Sequence, residues 1–281
     1  MKDKIICVVG TTASGKSDIG VELALKFGGE IISADCRQVF KGVPHHLLDI
    51  REPNEFFSMA NFQELAYEKI EEIIARGNLP FIVGGTGLYV DSVADGYVLS
   101  GHAPDLQYRA ELETYDTPQL YAMLMEKMPD SDVDPRNRNR VMRLLERIRS
   151  GDDITPRQEA RYDALRLGIT WDRPVLKERI DIRLKKRMEM GMVDEVRRLM
   201  ENGATPLFLD KLGLEYRYVY RYLSGQIATE DEMLDELSRA IKRFAKRQMI
   251  WFRKNKSIVW LDMNGDYMTQ ACDVIEKFLQ N

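Results

Sequence analysis

Five apolar residues, Ile5-Ile6-Cys7-Val8-Val9, run straight into Gly10-Thr11-Thr12-Ala13-Ser14-Gly15-Lys16-Ser17. The segment from Asp18 to Phe27 then places Ile19, Leu23, Ala24 and Phe27 at helical spacing. A buried strand, a glycine loop and a helix in that order leave few folds open. Backbone amides at a helix N-terminus point at whatever anion enters, and Lys16 adds a mobile positive charge. Ser17 offers a hydroxyl to Mg²⁺. The stretch from Gly10 to Ser17 therefore predicts a site for a di- or triphosphate, whose identity the loop alone leaves open.

A chain of 281 residues is long enough to bury a sizeable core, as one large domain with an insertion or as two modest domains. Its formal net charge of −4 gives no global pull toward nucleic acid, so any such binding must come from local clusters among the 41 Lys and Arg. Cys7, Cys36 and Cys272 lie far apart and form no zinc-type spacing or disulfide framework, which fits a reducing compartment. The N-terminus passes directly into the first strand and no apolar run reaches membrane-spanning length. A cytoplasmic protein without membrane association, and a monomer, is expected.

Gly29 to Ala34 reads as a second short strand ending at Asp35. Ligands of open α/β sheets bind outside the carboxyl ends of the strands, which puts Asp35 beside the phosphate loop, placed to bind Mg²⁺, stabilise a cation or take a proton from a nucleophile, unless it simply begins a turn. Pro44-His45-His46-Leu47-Leu48-Asp49-Ile50 follows; adjacent histidines cannot share a face, and a hydrogen-bonded loop is expected there rather than a metal site. A helix from Phe56 to Arg76 carries Phe62, Leu65, Ala66, Ile70, Ile73 and Ile74 on one face. The third strand, Leu79 to Val83, runs into a second glycine-rich loop, Gly84-Gly85-Thr86-Gly87, where small residues permit close backbone approach and Thr86 offers a hydroxyl. Many phosphate-loop ATPases place a metal-positioning Asp after such a strand; here the next residue is Gly, and the free acid is Asp35.

The Gly10–Ser17 loop, Ser33-Ala34-Asp35-Cys36-Arg37-Gln38-Val39-Phe40, the Pro-His-His segment and Val83 to Tyr89 together resemble successive signatures of the tRNA dimethylallyltransferases. The resemblance extends to Ala245-Lys246-Arg247-Gln248 and covers nearly the whole chain. It implies a P-loop protein that uses its loop for the diphosphate of dimethylallyl diphosphate rather than for ATP. One departure is plain. Gly42-Val43 passes directly to Pro44, where the family carries a longer segment with a Gly-Thr-(Ala or Gly)-Lys element, so contacts made from that segment are not carried over.

From Gly101 to about Gly168 the sheet periodicity gives way to polar helical segments, Gln107 to Tyr115, Pro118 to Lys127 and Arg136 to Arg149. In the last of these Arg136, Arg140, Arg143 and Arg147 form a basic stripe suited to phosphodiester contacts, unless it is simply a solvated face. After a returning strand, Ala164 to Ile169, a helix from about Pro174 repeats Arg179, Arg183 and Arg187 every four residues. Arg179 or Arg183 could meet a leaving diphosphate as a lid arginine does. Arg239 to Lys256 is basic without an acid and interleaved with Phe244, Trp251 and Phe252, which suits splayed bases or equally a helix burying its aromatics. Ile258 to Asp262 resembles a last strand and Met268 to Phe278 a closing helix.

The expected fold is thus α/β, a P-loop NTPase-like parallel sheet flanked by helices, with a core of 1–101 and 165–281 and a helical tRNA-binding insertion at 102–164. The resemblance implies transfer of a dimethylallyl group to the exocyclic amine of the adenine 3′-adjacent to the anticodon. Asp35 would take the amine proton, with Thr86 and Thr12 orienting substrate. Lys16, Arg179, Arg183, the loop amides and Ser17-bound Mg²⁺ would hold the diphosphate. Expected tRNA contacts are Asp35, Cys36, Arg37, Gln38, Arg109, Asn139, Arg140, Arg143, Lys246 and Arg247, with the anticodon stem-loop as partner and the target base flipped out. A small-molecule kinase and an enzyme prenylating free adenine nucleotides share parts of this pattern, but neither needs the basic insertion.

Overall fold

The computed structural model describes residues 2–34, 45–47, 54, 57–99, 105–153, 155 and 157–281. Among them, six strands form one sheet: β1 (Lys4–Gly10), β2 (Gly29–Ser33), β3 (His45–His46), β4 (Leu79–Gly84), β5 (Asp163–Thr170) and β6 (Val259–Asp262). Their order is β3-β2-β4-β1-β5-β6 and every pairing is parallel. The central strand β1 is buried on both faces, which is why it reads as an unbroken apolar run rather than an alternating one. Ile5, Cys7 and Val9 point into one core with Phe62, Ala66, Ile70 and Ile73 of α2 (Met59–Ala75) and Val90 and Val93 of α3 (Gly87–Ala94). Ile6 and Val8 point into the other, with Ile19 and Leu23 of α1 (Lys16–Lys26) and Ala271, Cys272 and Ile275 of α12 (Tyr267–Gln280). Burial pushes the Cys7 thiol up to about 12, so it packs as an apolar group rather than a nucleophile.

A third core joins α7 (Arg173–Glu189), α8 (Met192–Glu201), α9 (Pro206–Leu212), α10 (Leu214–Leu223) and α11 (Glu230–Phe252) through Leu184, Val196, Leu209, Val219, Leu237 and Ile241. The expected loop at the histidines is corrected: they form the edge strand β3, whose two residues point to opposite sides. His46 donates through Nε2 to Glu30 of β2 at 2.6 Å, and Arg76 and Asn78 reach the same carboxylate at 2.8–2.9 Å.

The chain divides into two compact units, 1–95 with 160–281 and 96–159, so the insertion begins and ends about five residues earlier than its sequence suggests. The reason lies at its two ends. The Asp163 end of β5 already pairs with Lys4, and within the insertion Glu159 N–H donates to the Gly96 carbonyl at 2.7 Å. The smaller unit holds α4 (Leu106–Glu113), α5 (Thr117–Lys127) and α6 (Arg138–Arg149) around Leu112, Leu120, Leu124, Val141 and Leu145. Asp116 and Gln119 form a reciprocal capping box at the start of α5.

Candidate active site

The carboxyl ends of β1, β4 and β5 are neighbours: Val9 pairs with Gly84, and Gly10 with Ile169. After β1 the chain turns tightly, with Ala13 (φ 60°) and Gly15 (φ 88°) both left-handed. A side chain at Gly10 would lie 2.6 Å from Ser14 Oγ and 3.2 Å from Ile169 Cβ, so glycine leaves room for the loop to fold back over the strand. Gly15 is the N-cap of α1 and no side chain caps that end, which leaves the helix start for an anion. Lys16 is 3% exposed, held within the loop rather than waving above it. The hydroxyls of Thr11 and Ser14 are buried and meet no partner among the described residues.

Two arginines of α7 close on this loop. Arg179 Nε donates to the Ala13 carbonyl at 3.0 Å, and its guanidinium lies 4.5 Å from the Trp171 ring centre. Trp171, just past β5, donates to the Ser14 carbonyl at 2.8 Å. Arg183 donates to Thr12 Oγ1 at 3.0 Å. The sequence left open which arginine faces inward; both reach the loop, at four-residue spacing on one helix face. Thr12 is engaged twice, since its N–H also donates to Gln248 Oε1 at 2.9 Å.

The second glycine loop leads into α3 with Thr86 as N-cap. Its approach to β2 is close: Thr86 N–H meets the Ala34 carbonyl at 3.4 Å, and a Cβ on Gly84 would sit 2.4 Å from that carbonyl. Gln248 Nε2 donates to the Gly85 carbonyl at 2.8 Å. Trp251 lies close against Gly87, where a Cβ would stand 2.3 Å from its ring, and donates to Asp91 at 2.7 Å. Burial raises the Asp91 pKa, against the pull of that hydrogen bond.

The basic helix α11 divides its aromatics between two faces. Phe252 is in the core, while Phe244 and Trp251 stay over a third exposed among the exposed Lys246, Arg247, Arg253 and Lys254. The basic stripe of the insertion is less simple. Arg136 lies ahead of α6 and pairs with Asp134, and Arg147 reaches the Asp153 carbonyl. Arg109 and Arg143 both grip the buried Glu146, at 2.6–2.8 Å and 3.1 Å. Asn139 and Arg140 are exposed at the first turn. Asp35, Cys36, Arg37 and Gln38 lie outside the described residues.

Three contributors escaped the sequence reading: Trp171, Gln248 and the indole of Trp251 as a donor. Gln248 had a legible signal, a polar residue at four-, three- and four-residue spacing with Ile241, Ala245 and Phe252 on a buried face.

Known proteins resemble this chain along nearly its whole length. The chain is 42% identical to "tRNA dimethylallyltransferase 2" of Shewanella sediminis over 96% of its own length and 97% of that protein's. Its fold superposes on the tRNA isopentenylpyrophosphate transferase of Bacillus halodurans with a TM-score of 0.73 at 36% identity, covering 99% and 96% of the two chains. The tRNA delta(2)-isopentenylpyrophosphate transferase of Staphylococcus epidermidis gives 0.71 at 29% identity over the full length of both. Residues 28–255 match the family described as IPP transferase, and the chain belongs to that family.

Proposed function

We propose that this protein transfers a dimethylallyl group from dimethylallyl diphosphate to the exocyclic N6 amine of the adenine 3′-adjacent to the anticodon in tRNA, releasing pyrophosphate. The observation that carries the reading is the loop with Lys16 sunk into it and Arg179 and Arg183 laid across it, in a chain of the IPP transferase family. Three positive charges around one loop suit a diphosphate whose departure builds negative charge on its oxygens.

The amine nitrogen attacks the allylic carbon as the bond from that carbon to the diphosphate oxygen breaks, and the bonding pair leaves with pyrophosphate. An aromatic amine is a weak nucleophile, so its proton must be removed as the new bond forms. Asp35 is the proposed acceptor, with Thr86 orienting the base. Mg²⁺ supplies further charge neutralisation when bound. Ser17, with a half-buried hydroxyl at the second residue of α1, would hold the ion. The described residues contain no group of three or more His, Cys, Asp or Glu arranged for a resident metal. Lys246 and Arg247 on α11, and Asn139, Arg140, Arg143 and Arg109 in the insertion, are the proposed contacts to the anticodon stem-loop, together with Cys36, Arg37 and Gln38.

Incubation with labelled dimethylallyl diphosphate and bulk tRNA, AMP or ATP tests this directly. Label should enter tRNA alone, and Asp35→Asn should lose about 10²-fold or more in turnover while retaining tRNA binding. Label in AMP or ATP, or consumption of ATP without prenyl transfer, would overturn the reading.

A further inference from the structure

We propose that Gln248 is a positioning residue that locks the diphosphate loop against the second glycine loop, so that donor and acceptor keep one separation. This rests on the function proposed above. A primary amide buried to 8% exposure is costly unless both of its ends are bonded, and here both are. Its oxygen accepts from Thr12 N–H at 2.9 Å and its nitrogen donates to the Gly85 carbonyl at 2.8 Å, across 236 and 163 residues of sequence. The two backbone groups belong to the loops that end the adjacent strands β1 and β4. The ladder between those strands runs from Ile6–Phe81 to Val9–Gly84, and Gln248 continues the connection beyond it.

Two consequences follow from which atoms Gln248 uses. In a phosphate loop a backbone N–H is a donor for the ligand, but the N–H of Thr12 is committed to Gln248 and its hydroxyl accepts from Arg183. Thr12 therefore braces the loop, and anion binding falls to the residues after it. Gln248 also hangs from the turn of α11 that exposes Lys246 and Arg247. The helix proposed to meet tRNA is thereby tied by one side chain to the loop proposed to hold the donor. Each loop can bind its own ligand without that tie, but the reacting atoms then lose a fixed spacing, to which rate is far more sensitive than affinity.

Gln248→Met keeps the side-chain length and removes both bonds. We expect kcat to fall about 10–100-fold with the KM for dimethylallyl diphosphate changed by less than about threefold. Hydrogen exchange at the Thr12 amide should accelerate while the amides of α1 keep their protection. Gln248→Glu retains the acceptor for Thr12 but, when ionised, has no donor for Gly85, so Thr12 protection should persist while turnover still falls. Wild-type kcat in a folded Gln248→Met protein would overturn the proposal. So would a loss expressed wholly in donor KM, or failure of both variants to fold, which would make Gln248 an ordinary core residue. A wild-type protein inactive with dimethylallyl diphosphate would instead refute the proposed function, and the Thr12 exchange would still decide whether Gln248 holds the loop.

Discussion

Glu30 shows how much one residue organises here. It sits on β2 with its side chain 4% exposed, and Arg76 at the end of α2, Asn78 before β4 and His46 of β3 all converge on its carboxylate. The Arg76 hydrogen bonds, helped by Asn78 and His46, hold its pKa down at about 2 against a burial effect that opposes them. A carboxyl whose pKa is lowered by folding stabilises the fold above its unfolded pKa, and that contribution disappears as pH falls from about 4.5 through about 2. The shift corresponds to stabilisation on the order of 3 kcal/mol. Glu30→Gln should therefore lower the thermal midpoint at pH 7 and flatten its fall between pH 4.5 and 2, as followed by circular dichroism. Parallel acid limbs in variant and wild type would show that Glu30 is not the group that titrates.

At the scale of elements, α6 shows why a run of arginines cannot be read as a single binding stripe. Arg138 donates to the carbonyls of Leu112, Glu113 and Tyr115, closing the C-terminal end of α4, where unpaired carbonyls and the helix dipole favour a cation. Arg149 lies over Tyr108 and near Glu111, again joining α6 to α4. Arg109 and Arg143 share Glu146, whose side chain is 2% exposed, so they neutralise a buried charge whatever else they touch. Arg140 meets no such partner among the described residues and stands exposed. Arg140→Ala should weaken tRNA binding and reduce the salt slope by about one, without loss of stability. Arg143→Ala should also destabilise the insertion, by about 1–3 kcal/mol, by leaving Glu146 short of a partner. Filter binding at several salt concentrations and thermal melts separate the two. An unchanged slope in Arg140→Ala would return that face to solvent.

At the scale of the molecule, each of the two units has its own apolar centre. The insertion's core is small, so one cavity weighs heavily on it. Leu124, fully buried on α5, packs in that core alone. Leu124→Ala should cost about 2–5 kcal/mol. The damage should stay local: hydrogen exchange should rise across 96–159 while β1, β4 and β5 keep their protection. Equal acceleration in the sheet would mean that the units unfold as one.

The glycine loop after β1, the parallel sheet around that strand and the existence of an inserted helical unit were legible in the sequence. Each rests on short-range rules: an apolar run long enough for a buried strand, glycines where a Cβ would collide, and a change of hydrophobic period at the insertion. Family membership was legible too, because its signatures are contiguous. Tertiary structure alone decided which charges are committed and which are available. Arg109 finds Glu146 across 37 residues, Arg183 finds Thr12 across 171, and Gln248 reaches Thr12 across 236. Pairings at such distances leave no local trace, since a guanidinium that closes a fold and one that meets a phosphate are written with the same letter.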